Sequence, residues 1–165
     1  MSTFELYYSH PYKTDFEADI ISIDACDTKE NTYKVILNQT LFFPEAGGQS
    51  SDKGEIIFGD ITTIVENVQI DKEGTITHYI HSSSPLDTKS LVNAEIKGRI
   101  DWEHRFSNMQ QHSGEHIFSG IVHEEYGYDN VGFHLSDNSV TMDYNGILSP
   151  DEVAEIEALV NEVIV

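Results

Sequence analysis

GEIIFGDITTIVENVQIDKEGTITHYIH, residues 54–81, decides how the fold is read. Three runs rich in β-branched and aromatic residues, Gly54–Phe58, Ile61–Ile70 and Thr75–His81, are separated by Gly59-Asp60 and by Asp71–Gly74, where turn chemistry interrupts them. Such runs are too short and too regularly broken for helices. Toward the N-terminus, Asp19–Cys26 and Thr32–Thr40 repeat the pattern around the polar stretch Asp27-Thr28-Lys29-Glu30-Asn31, which predicts a hairpin. Beyond the break at Ser82–Pro85, Leu91–Ile100 predicts a further strand. Many short strands joined by turns predict a small barrel or sandwich over residues 1–95.

After Asp101 the period changes. Phe106, Met109, Ile117, Phe118, Ile121 and Val122 recur at helical spacing, predicting a helix from Trp102 to about Tyr126 in spite of Gly114 and Gly120. Val131–Leu135 and Val140–Tyr144 predict a hairpin about Ser136-Asp137-Asn138-Ser139. The last segment carries a helix start, with Ser149 to cap, Pro150 at the first position and Glu152 to complete a capping box. No stop signal precedes Val165, so the native protein is expected to continue. The fold class is therefore α+β: a small β-barrel at 1–95, then an α+β domain at 96–165, incomplete at its C-terminus.

With 39% hydrophobic and 23% charged residues, the 165-residue chain reads as globular rather than disordered. No apolar run is long enough to span a membrane and Met1-Ser2-Thr3-Phe4-Glu5 lacks a basic signal-peptide start, so a cytoplasmic location is expected. Cys26 is the only cysteine, which excludes an intrachain disulfide and a cysteine-rich zinc site; it is expected to be a small buried apolar residue. Nine basic against 29 acidic residues, net −20, argue against a broad phosphate-binding surface. The local exception is the group Lys97, Arg99, His104 and Arg105.

Two constellations carry chemistry. His112 and His116, four apart on a predicted helix, share a face and can share a metal, and zinc takes such imidazoles. Two ligands are too few for a catalytic zinc, and His104, His123, His134 and Glu115 are the candidates for the remainder. The second is Phe42-Phe43-Pro44-Glu45-Ala46-Gly47-Gly48-Gln49-Ser50-Ser51-Asp52-Lys53-Gly54, a loop whose paired glycines admit close approach and whose amides can face an anion or a developing oxyanion. By itself each pattern also fits an ordinary helix surface or turn.

Together they carry a resemblance. Asn38–Gln49 with Asp52 and Gly54 resembles the glycine-rich motif of the editing domain of alanyl-tRNA synthetases and of free-standing alanyl-tRNA editing proteins, with Ala46 where that family commonly has a third glycine. Ile100-Asp101-Trp102-Glu103-His104-Arg105 followed by His112 and His116 resembles the family's linker and metal-binding pair, and Thr77-His78-Tyr79 and Gly132-Phe133-His134 resemble segments around them. The resemblance implies the architecture shared by threonyl- and alanyl-tRNA synthetase editing domains, and zinc-dependent hydrolysis of serine or glycine from tRNA(Ala). It implies His112 and His116 as metal ligands; beside them, backbone amides at Gly47 and Gly48 are candidates to support the tetrahedral intermediate, and Thr40 and Gln49 are the candidates for reading the amino acid. A pocket that hydrogen-bonds serine's hydroxyl discriminates against alanine, because its polar groups would otherwise be left unpaired. The family's second pair of metal ligands, Cys-x-x-x-His, has no counterpart here, and Cys26 does not match it, so zinc is expected to be incompletely ligated. The partner implied is the acceptor end of tRNA(Ala), expected to be bound weakly or not at all by so acidic a chain, so that a further C-terminal portion or a basic surface around Lys97, Arg99 and Arg105 would carry the acceptor stem. Two alternatives stand beside this reading: a non-catalytic synthetase-related module, and a zinc protease in which His112-x-x-Glu115-His116 supplies ligands and a general base.

Overall fold

Phe16, Ala18 and Ile20 are buried while Asp15, Glu17 and Asp19 between them face out, the two-residue period of a strand with one face in a core. The period then skips one position, so Ile20 and Ile23 both point inward, and the register against the partner strand shifts between Ile20 and Ser22. This is a β-bulge, and Val65 and Val68 are brought inside by the same device, with a shift between Val65 and Asn67.

These strands belong to a computed structural model that describes residues 3–27, 29–136 and 139–164. In chain order the elements are β1 (Phe4–Glu5), α1 (Leu6–Ser9), β2 (Asp15–Ala25), β3 (Thr32–Leu37), β4 (Gln39–Thr40), β5 (Gly54–Phe58), β6 (Ile61–Ile70), β7 (Ile76–His81), α2 (Thr88–Leu91), β8 (Glu95–Ile100), α3 (Trp102–Tyr126), β9 (Asn130–Leu135), β10 (Val140–Tyr144) and α4 (Pro150–Val163). The chain forms two compact units, Met1–Ala46 with Ser51–Arg105, and Gly47–Ser50 with Phe106–Val165.

In the first unit, six strands close a barrel in the order β2-β3-β7-β6-β5-β8, with β8 returning to β2. Closure pairs every barrel strand on both sides and leaves no open edge. Ile20, Val35, Leu37, Ile56, Val65, Ile76 and Ile80 are fully enclosed in its interior. The short β1 pairs in parallel with β4. The strand expected at Leu91–Ile100 begins only at Glu95, because Asp87 caps the Thr88–Leu91 turn through the Lys89 amide. The division expected at 95/96 thus falls where β8 begins, and the compact unit includes β8 and runs on to Arg105. Cys26 lies just past β2 and is half-buried rather than enclosed.

Asp101 starts α3: its carboxylate accepts the His104 amide at 3.1 Å and its carbonyl the Arg105 amide at 3.0 Å. The helix runs through Gly114 and Gly120 without a break. In the second unit, β9 and β10 form the antiparallel hairpin read from the sequence, with Val140 opposite Leu135, and Val122, Leu135 and Ile156 are enclosed. The capping box of α4 is formed in both directions, Ser149 accepting from the Glu152 amide and Glu152 from the Ser149 amide. Thr28 in the first expected turn, Asp137 and Asn138 in the second, and the chain end at Val165 lie outside the described residues. Among the described residues no helix is long and apolar enough to cross a membrane. The fold is α+β, a closed barrel with helices.

Candidate functional site

The helical repeat places His112 and His116 one turn apart on α3, and their ring centroids are 4.9 Å apart with planes inclined at 32°. One ligand atom each from His112, Glu115 and His116 lies within 4.8 Å of the others, the one cluster of metal-type donors of this size among the described residues. Two imidazoles and a carboxylate are a zinc-type donor set, so the residues present fit that metal in kind, one short of a closed four-coordinate shell.

The glycine loop meets this pair within the second unit. Gly48 and Ser50 pair with β9 through Leu135, whose amide donates to the Gly48 carbonyl at 2.7 Å and whose carbonyl accepts the Ser50 amide at 3.1 Å. Gly48 has φ +83°, and a Cβ there would collide with the carbonyl of Phe133, so only glycine fits. This bridge turns the buried Gln49 side chain toward α3, where its Oε1 lies 2.7 Å from His112 Nδ1. The Phe133 ring sits 5.4 Å from the His112 ring.

Glu115 is only 7% exposed. Its Oε1 accepts from Ser119 Oγ at 2.6 Å and from Asn130 Nδ2 at 2.7 Å, and its Oε2 lies 3.4 Å from His116 Nδ1. Ser119 Oγ also meets the Tyr144 hydroxyl at 2.9 Å. Burial, together with the nearby Glu115 charge, holds the Tyr144 phenol above its ordinary range against the opposing Ser119 hydrogen bond. The two donors on Oε1 hold the carboxylate in place, and its other oxygen faces His116. Of the other candidate ligands, His104 Nε2 bonds the Ser51 carbonyl at 2.9 Å in the first unit. His123 pairs with Asp129 at 2.9 Å, and His134 is exposed on β9.

Thr40 belongs to the first unit and is fully enclosed. Its Oγ1 lies 2.9 Å from His78 Nε2 and accepts the Phe42 amide at 3.0 Å; His78 Nδ1 lies 3.1 Å from the Val35 carbonyl. Burial pushes the His78 pKa down to about 4, against the opposing Val35 carbonyl, so the ring is neutral at pH 7. A carbonyl only accepts, so Nδ1 carries the ring proton and Nε2 takes the proton of Thr40. The Thr40 hydroxyl is therefore left as an acceptor. The sequence alone gives His78 no site role, though its position between Ile76 and Ile80 in the inward register of β7 marks it.

Asp52 and Arg105 form a buried ion pair: Arg105 Nε donates to Asp52 Oδ1 at 2.7 Å, and Nη2 donates to Asp52 Oδ2 and to the Leu41 carbonyl. Nη1 donates to the Pro11 carbonyl at 3.1 Å, and Asp52 Oδ2 accepts the Phe43 amide at 2.6 Å. This corrects the expectation that Arg105 belongs to a basic surface, because at 5% exposure its guanidinium is spent on the stems of the glycine loop. Arg99 is exposed but pairs with Asp15 at 3.2 Å and Glu55 at 3.8 Å. All nine Lys and Arg residues lie in the first unit.

A family model described as tRNA synthetases class II (A) matches residues 5–104. The alanyl-tRNA editing protein AlaX-L of Pyrococcus horikoshii is 32% identical over 162 residues, covering 97% of this chain and 38% of that protein. The alanine–tRNA ligase of Ignicoccus hospitalis is 33% identical over 98% of this chain and 17% of its own length. The AlaX-M editing protein of Methanosarcina acetivorans is 29% identical over 96% of this chain and 64% of its own. The chain thus spans from about a sixth to under two thirds of these relatives.

Proposed function

Because this chain belongs to the family of tRNA synthetases class II (A), we propose that it carries the site that hydrolyses the ester between a wrong amino acid, serine or glycine, and tRNA(Ala). Relatives named for alanyl-tRNA editing align with nearly all of it, which supports this reading. The observation that carries it is the bond from Gln49 to His112, which joins the glycine loop and the histidine pair in one unit.

In this reading His112 and His116 hold a zinc ion, with Glu115 beside them. Zinc, when bound, polarises an ester carbonyl or lowers the pKa of a water. The rest falls to the chain itself. Gly47 and Gly48 bring backbone amides close to the substrate, where they stabilise a developing oxyanion without reorganisation. The amide nitrogen of Gln49 is left for the amino acid, since its oxygen serves His112. Thr40, its proton held by His78 and its oxygen also accepting the Phe42 amide, is fully enclosed in the first unit, so it would reach a serine hydroxyl only if that enclosure opened. The acceptor end of tRNA(Ala) is the proposed partner, with phosphate contacts restricted to the barrel unit.

The test is deacylation of seryl-, glycyl- and alanyl-tRNA(Ala) by this chain and by a His112→Ala/His116→Ala variant. Faster loss of serine or glycine than of alanine, abolished in the variant, is the expected result. Equal rates in the chain and its variant would overturn the proposal.

A further inference from the structure

We infer that Gln49 is a positioning residue for the histidine pair: its side-chain oxygen fixes His112 as the Nδ1–H tautomer, so that Nε2 presents its lone pair for a metal. The inference rests on the metal reading above.

An amide oxygen has lone pairs and no proton, so a bond of 2.7 Å from His112 Nδ1 to Gln49 Oε1 requires the proton to be on Nδ1. In a neutral imidazole the other nitrogen is then bare, and that is the form a metal takes. Left alone, a histidine on an exposed helix face chooses neither tautomer nor ring plane for metal binding. Here three groups set the plane: the Gln49 amide, the Phe133 ring at 5.4 Å and the His116 ring at 4.9 Å.

Gln49 can act this way because it is itself held. It is 8% exposed, and the residues on either side of it are bonded to Leu135, at 2.7 Å through the Gly48 carbonyl and 3.1 Å through the Ser50 amide. Gly48 has no room for a side chain against Phe133. The line of constraint therefore runs from β9 through the loop backbone to one side-chain oxygen and on to one ring nitrogen. The requirement is an acceptor at this point, which glutamine or glutamate supplies and leucine does not. Partners of this kind, one step behind the ligand, orient it and typically change metal affinity by about 10–100-fold when removed.

The experiment uses the 165-residue chain, with Gln49→Leu and Gln49→Glu. Long-range proton–nitrogen NMR of the histidine rings in metal-free protein reads the tautomer directly, and competition with a chromophoric chelator reads zinc affinity. The expected result is His112 as Nδ1–H in the wild type and in Gln49→Glu, a mixture or the Nε2–H form in Gln49→Leu, and zinc binding about 10–100-fold weaker in Gln49→Leu. Thermal unfolding of Gln49→Leu close to wild type shows that its loss is local, and the Gln49→Glu tautomer guards against a folding defect. His112 found as Nε2–H in the wild type, or equal zinc affinity in wild type and Gln49→Leu, overturns the inference. A wild type that takes up no zinc while showing the Nδ1–H form defeats the metal reading instead, and with it a metal role for Gln49.

Discussion

Acid should destabilise the barrel through His78 well before its carboxylates protonate. The ring is fully enclosed, and its pKa is held down to about 4 from an ordinary 6.5 by burial. Above pH 6.5 both the folded and the unfolded chain keep it neutral, and the full stability is present. As the pH falls below 6.5 the unfolded chain takes up a proton that the folded barrel refuses until about pH 4, so the unfolded state gains with each step. A shift of one unit corresponds to about 1.4 kcal/mol, so the window between these values removes about 3 kcal/mol, a large share of an ordinary domain's stability. The assay is urea unfolding at a series of pH values from 7.5 to about 4, comparing wild type with His78→Gln, which keeps an acceptor for Thr40 but cannot titrate. The many exposed carboxylates titrate alike in both proteins and cancel in the difference. Wild type is expected to lose stability relative to the variant with a slope approaching one proton below pH 6.5. A difference that does not change with pH would refute the enclosed, neutral His78 and the proton assignment built on it.

Breaking the pair between Asp52 and Arg105 is expected to cost about 3–5 kcal/mol in Arg105→Met, because the buried carboxylate is left uncompensated; urea unfolding that shifts by less than about 1 kcal/mol would contradict it. Gly48→Ala is expected to displace the loop from β9, read as loss of slow hydrogen exchange at the Leu135 amide and of the His112 tautomer preference. Ser149→Ala removes one half of the α4 capping box and is expected to cost about 1 kcal/mol in thermal unfolding of a single-variant comparison. Filter binding of tRNA by this chain is expected to be weak and to vanish with salt, since all nine basic residues lie in the first unit and Arg105 is buried; tight binding would refute that.

Strand positions at 54–58 and 61–70, the helix at 102–126 and the capped start of α4 were legible because each follows from local period and end chemistry. The bulges near Ile21 and Glu66 were not, since a skipped position in an alternating pattern has no meaning until a partner strand fixes which face is inside. The candidate site divides in the same way. Helical spacing alone placed His112 and His116 on one face, and the paired glycines alone marked a special backbone. What Arg105, Thr40 and Gln49 do was decided by contacts with residues 53, 38 and 63 positions away, to Asp52, His78 and His112. A sequence states which donors and acceptors a chain owns. Which of them meet, and so which proton sits on which nitrogen, is settled only when burial removes water as the competing partner and leaves each polar group the few neighbours the fold supplies.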